Sequence, residues 1–147
     1  MKKIIINNLE ETKELAIRIG KLVTPHTLIT LRGDLGAGKT TFTKYLGACL
    51  GVNKTINSPT FTIMKIYEGI MPIYHLDAYR LEGIKQELGF EEAFDDEGCC
   101  IVEWPMYIEE QLPKERLDIQ IYALDDTRRE FIISAIGSKY EKMLEEL

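Results

Sequence analysis

Eight consecutive residues, Gly33-Asp34-Leu35-Gly36-Ala37-Gly38-Lys39-Thr40, follow the pattern G-x-x-x-x-G-K-[ST]. Each part of that pattern serves the capture of phosphate. The glycines let the backbone curl until successive N–H groups point at one anion. A helix starting there adds its positive end. The Lys39 ammonium supplies a point charge for β- and γ-phosphates, and the Thr40 hydroxyl is a candidate magnesium ligand. Asp34, Leu35, Gly36, Ala37, Gly38, Lys39, Thr40 and Thr41 thus form a candidate ATP-binding segment, with Lys39 expected on a solvent-accessible loop.

Such a loop needs a carboxylate near magnesium, at the end of a nearby strand. Asp77, ending Ile73-Tyr74-His75-Leu76-Asp77, and Glu103, ending Cys99-Cys100-Ile101-Val102-Glu103, both qualify. Strand side chains alternate, so His75 shares a face with Asp77. Two ligands are too few for a structural zinc site, and a packed strand-end histidine is the other reading. Glu103 follows the most apolar short run of the chain, where a carboxylate is costly without a task or a partner. It can orient an attacking water or hold magnesium through water, or pair with Arg80 or Lys39. Trp104, the only tryptophan, suits packing or contact with nucleotide or a partner. Ser58-Pro59-Thr60-Phe61-Thr62 sets three hydroxyls in and after a turn. That suits a γ-phosphate sensor centred on Thr60, and equally a plain turn before a strand.

The surrounding elements fit this use. Thr27-Leu28-Ile29-Thr30-Leu31 is a short β-rich run before the loop, and Thr41 to Leu50 is helical in composition up to Gly51. Lys3-Ile6 reads as a first strand. Asn8 and Glu11 form a capping box, and Leu15, Ile19, Leu22 and Val23 keep helical spacing. Phe61 to Tyr67, Pro72 to Asp77 and Cys99 to Val102 read as strands. One or two short helices are expected over Leu81 to Phe94, broken at Gly89. Arg116 to Ala123 and Arg129 to Ile136 should pair about an Asp125-Asp126 turn, before a closing helix from Ser138. Together these predict one α/β domain over residues 1–147 with three layers, of P-loop NTPase type. Its central sheet is expected to be mixed and mostly parallel, with antiparallel late strands.

Composition narrows the classes. The chain has 147 residues, 45% hydrophobic and 29% charged, as expected of a globular protein. No apolar run approaches membrane-spanning length, and the run after Lys2-Lys3 is too short for a signal peptide. Cys49, Cys99 and Cys100 lack C-x-x-C spacing and read as reduced thiols, which favours the cytoplasm. The net charge of −6 argues against tight unaided binding to DNA or RNA. An acidic stretch over residues 82–110 is a solvated face or a dock for a basic partner.

The phosphate loop with Thr41, the Ser58–Thr62 segment, His75-Leu76-Asp77-Ala78-Tyr79-Arg80-Leu81 and Glu103-Trp104-Pro105, in this order, resemble the TsaE (YjeE) family over nearly the whole chain. The resemblance implies a bacterial ATPase required for threonylcarbamoyladenosine formation in transfer RNA. Such a protein works on a TsaB–TsaD heterodimer, reaches tRNA only through that complex, and does not itself transfer the carbamoyl group. It further implies that Lys39 and Thr40 are phosphate and magnesium ligands, Asp77 the magnesium carboxylate, Thr60 part of a switch-like segment, and Glu103 and Trp104 a Walker-B-like pair. Three rivals remain. A small P-loop kinase needs a lid with arginines, yet Arg80 is the only arginine between Arg32 and Arg116. A GTPase needs N-K-x-D, and Asn53-Lys54-Thr55-Ile56 lacks the aspartate. A nucleotide-gated interaction module would use the same loop with slow hydrolysis.

Overall fold

In a computed structural model, which describes residues 1–56, 63–83 and 89–147, a seven-stranded sheet runs through the molecule. Its strands are β1 (Lys2–Ile6), β2 (Thr27–Arg32), β3 (Met64–Glu68), β4 (Pro72–Asp77), β5 (Cys99–Glu103), β6 (Arg116–Ala123) and β7 (Arg129–Ile136). The order is β1-β7-β6-β2-β5-β4-β3. Pairing is parallel for β6–β2, β2–β5 and β5–β4, and antiparallel for β1–β7, β7–β6 and β4–β3. The expected preponderance of parallel pairs thus holds only for the four central strands. The β6–β7 and β3–β4 hairpins can only be antiparallel, and β1 adds an antiparallel edge beyond β7.

Helices α1 (Leu9–Gly20), α2 (Lys39–Cys49) and α4 (Ser138–Glu145) flank one face. Asn8 starts α1 by accepting the Glu11 N–H at 2.9 Å. The returning Glu11 carboxylate takes the N–H of Asn7 rather than that of Asn8. Leu15, Ala16 and Ile19 then bury against α2 and the Ile29, Leu31, Ile73 and Ile101 face of the sheet. Leu28, Leu76, Cys100 and Val102 form the other face, under the short helix α3 (Glu91–Asp95) and 3-10 turns at Tyr79–Leu81, Pro105–Tyr107 and Glu109–Gln111. The helices expected over Leu81 to Phe94 are reduced, among the described residues, to the end of one turn and to α3.

Because β2 and β5 are covered on both faces, residues 27–31 and 99–103 are buried without a break, whereas β7 alternates. The polar residues of the central strands are paired. Thr30 donates to Asp118 Oδ1 at 2.7 Å, and Arg32 donates to Asp118 Oδ2 at 2.9 Å. The Cys99 and Cys100 thiols lie inside the sheet, where burial pushes the Cys100 thiol up to about 12.

Where β2 gives way to the loop, a Cβ on Gly33 would lie 2.7 Å from the Ile121 carbonyl oxygen of β6. Backbone cannot swing aside as a side chain can. Gly33→Ala is expected to cost about 1–3 kcal/mol, read as a lower urea midpoint. An unchanged midpoint would show that this approach does not constrain the loop.

Candidate functional site

The loop is shaped by its own backbone and by β7. The Ala37 N–H donates to the Asp34 carbonyl at 3.0 Å, closing a turn. Arg129 Nε donates to the Ala37 carbonyl at 2.9 Å and so ties the loop to the sheet. Gly36 and Gly38 take φ of 80° and 113°, which side-chain-bearing residues rarely adopt. Gly38 caps α2 without a side chain, so the first N–H groups of that helix keep no side-chain acceptor.

Lys39 departs from expectation. It is the first residue of α2 and only 6% exposed, not solvent-accessible. Its Nζ donates to the Gly33 carbonyl, lies 3.4 Å from the Asp34 carbonyl, and sits 4.1 Å from the centre of the Trp104 ring. Burial lowers its pKa from the ordinary lysine value, and Glu103, Asp77 and Asp34 pull it back up.

Parallel register delivers the acidic groups. Leu31 pairs with Glu103, and Glu103 with Asp77. Leu35, Gly36, Gly38, Lys39, Thr40 and Thr41 line a cavity of about 470 Å³ that also includes Asp77, Arg80, Glu103 and Trp104. Asp77 Oδ1 accepts the Tyr79 N–H at 3.0 Å. Glu103 is 3% exposed and meets His75 Nε2 at 2.6 Å through Oε2, rather than pairing with Arg80 or Lys39. Trp104 takes a left-handed conformation, φ 57° and ψ 50°, which folds its ring back beside Tyr107 at 6.0 Å and Tyr79 at 5.0 Å.

A second cavity of about 570 Å³ lies against the same loop, bounded by Asn8, Thr12, Gly38, Thr41, Arg129 and Phe131. Ala37 lines it, while Asp34 contributes its carbonyl to the loop and lines neither cavity among the described residues. Thr60, with Ser58 and Thr62, lies outside the described residues. No motif marked Arg129, and Asn8 was marked only as a helix cap, not as part of a site. Only the sheet order brings β7 and the start of α1 to the loop.

The donor chemistry fits nucleotide and magnesium. Magnesium takes few protein oxygens beside phosphate, and Thr40, Asp77 and Glu103 offer them in one cavity. Among the described residues no group of three or more His, Cys, Asp and Glu could hold a metal by itself.

Fold and site define a class: an α/β protein in which a glycine-rich loop joins a central parallel strand to a helix, opposite two carboxylates at neighbouring strand ends. The family model "Threonylcarbamoyl adenosine biosynthesis protein TsaE" matches residues 6–131. The chain is 50% identical over 141 residues to the tRNA threonylcarbamoyladenosine biosynthesis protein TsaE of Bacillus subtilis, covering 95% of this chain and 89% of that protein. It is 33% identical to that of Treponema pallidum, covering 85% and 94%. A crystal structure of Bacillus subtilis YdiB superposes with a TM-score of 0.85 at 43% identity, over 99% of this chain and 92% of that one. The chain belongs to the TsaE family, a family of tRNA threonylcarbamoyladenosine biosynthesis proteins.

The contact between Lys39 and the single tryptophan gives an optical test. Lys39→Met is expected to change the emission of Trp104 in the free protein, because the ammonium leaves the ring face. Superimposable spectra would show that the contact does not persist in solution.

Proposed function

We propose that this chain is a P-loop ATPase that binds and hydrolyses ATP with magnesium in the formation of tRNA threonylcarbamoyladenosine. It acts on a TsaB–TsaD-type heterodimer rather than transferring the carbamoyl group. The observation that carries this reading is the single cavity shared by Lys39, Thr40, Asp77 and Glu103. Family membership supports the pathway.

In this reading the N–H groups of the loop and of the uncapped start of α2 receive phosphate oxygens. Lys39 exchanges the Gly33 and Asp34 carbonyls for the terminal phosphates. Thr40 and Asp77 hold magnesium, which when bound offsets charge on the phosphates. Glu103, buried at the end of β5, orients the attacking water. The second cavity shares Gly36, Gly38 and Thr41 with the first, and takes the base and sugar against Phe131.

The partner docks beside this edge, where Tyr79 and Met106 are exposed next to the half-buried Trp104. tRNA is reached only through the complex. The protein works in the cytoplasm, away from membranes and DNA. No helix among the described residues is long and apolar enough to cross a membrane.

Three variants divide the roles. Lys39→Ala is expected to weaken ATP binding about 10–100-fold, the range for a lost hydrogen bond to a charged group. Asp77→Ala should raise the magnesium needed for binding. Glu103→Gln should keep nucleotide affinity and lose most of its turnover, leaving a measurable residue. Equilibrium binding at several magnesium concentrations, with turnover measured beside the heterodimer, checks all three. Unchanged ATP affinity in Lys39→Ala would sink the phosphate-loop reading, and magnesium dependence lost in Glu103→Gln alone would reverse the two carboxylates.

A second measurement addresses the heterodimer. Hydrolysis by this chain should rise when the heterodimer is added, and tRNA should not bind the isolated chain tightly. Tight, salt-sensitive tRNA binding by the chain alone would overturn the indirect role.

A further inference from the structure

His75 has no part in capturing phosphate or magnesium, yet its placement is specific. Its side chain is fully buried on β4, two residues before Asp77. Nε2 lies 2.6 Å from Glu103 Oε2. Nδ1 is also buried, and has no hydrogen-bond partner among the described residues. A leucine would fill such a core position without stranding a polar atom. A histidine there costs stability unless its other nitrogen has a task.

The chemistry of the pair points to that task. A carboxylate only accepts, so Nε2 carries the hydrogen and donates it. In the neutral ring Nδ1 is then an unused acceptor rather than a stranded N–H. A glutamate side chain alone has several rotamers within reach. The imidazole is held by β4, whose residue His75 pairs with Ile101 of β5, two residues before Glu103. One hydrogen bond from this fixed ring therefore selects one orientation of the carboxylate. Oε2 is occupied, and Oε1 remains for the cavity that Glu103 lines with Lys39 and Thr40.

We propose that His75 is a positioning residue: its Nε2–H fixes the Glu103 carboxylate so that Oε1 is presented to the nucleotide cavity. This rests on the ATP-hydrolysis reading above. The competing role, plain core packing, makes different demands. Packing needs volume and no donor, whereas positioning needs an N–H at the place of Nε2 and acts only through Glu103.

The test compares wild type with His75→Leu, His75→Gln, His75→Asn, Glu103→Gln and the double variant His75→Leu/Glu103→Gln. Each is measured for ATP turnover beside the heterodimer and separately for nucleotide affinity. His75→Leu is expected to lower kcat about 10–100-fold, the usual effect of removing a group that orients a catalytic ligand, with nucleotide affinity unchanged. His75→Gln, whose amide N–H reaches the place of Nε2, should restore most of kcat. His75→Asn is one methylene too short and should not. In the Glu103→Gln background His75→Leu should cost nothing further. Equal kcat in the Gln and Asn variants, or additive losses in the double variant, would overturn the proposal and leave His75 as packing. The Gln–Asn contrast decides if His75→Leu does not fold. A wild-type chain that hydrolyses no ATP overturns the ATPase reading itself, and this inference with it. Normal wild-type turnover that all His75 variants match overturns the inference alone.

Discussion

Parallel pairing aligns Leu31 with Glu103, and Glu103 with Asp77, so β2, β5 and β4 finish level along one edge. The chain leaving β2 enters the glycine loop, that leaving β5 enters the Trp104 turn, and that leaving β4 enters the Tyr79 turn. A slip of one residue in β5 would turn Glu103 onto the face of Cys100 and Val102, beneath α3. The slip would carry the buried Glu103 carboxylate away from His75 Nε2, its partner at 2.6 Å, and leave a charge without a donor. The link from Thr30 through Asp118 to Arg32 pegs β2 to β6 in the same register.

Local chemistry was legible in the sequence where a rule acts within a few residues. The Asn8 cap, the loop glycines and the bounds of β4, β6 and β7 fall where spacing and turn residues put them. Loop and carboxylates do come together in one cavity, because strands before helices in such a sheet end at a common edge. What could not be read depends on which strand lies beside which. β5 sits between β2 and β4, and only that order brings His75 to Glu103. Arg129 reaches Ala37 across 92 positions of sequence. The burial of Lys39 was missed for a related reason. A charged loop residue suggests exposure, but its cover is a tryptophan 65 positions later that returns over the loop through a left-handed residue.

That turn couples two sides of the site. Trp104 bears a backbone conformation that costs a non-glycine residue about 1–2 kcal/mol. Pro105 follows directly and stiffens the exit. The ring touches Lys39 on one side and stacks with Tyr107 at an interplanar angle of 9° on the other. A displacement of the lysine therefore alters the setting of an aromatic group that adjoins exposed Tyr79 and Met106. The second cavity bears on the same loop from beside α1.

Glu103 and Asp77 stand in register on adjacent strands, two acidic groups of like charge set side by side. Such neighbours oppose each other, a cost to the fold that a cation held as proposed above would offset. Any occupant that binds only the folded chain holds it folded in proportion to the logarithm of its concentration over its dissociation constant. Opening of the chain, and with it cleavage by proteases that take the open form, becomes rarer as the occupant becomes plentiful. On the ATP-binding reading proposed above, the resistance of this chain to such proteases would rise and fall with the supply of nucleotide.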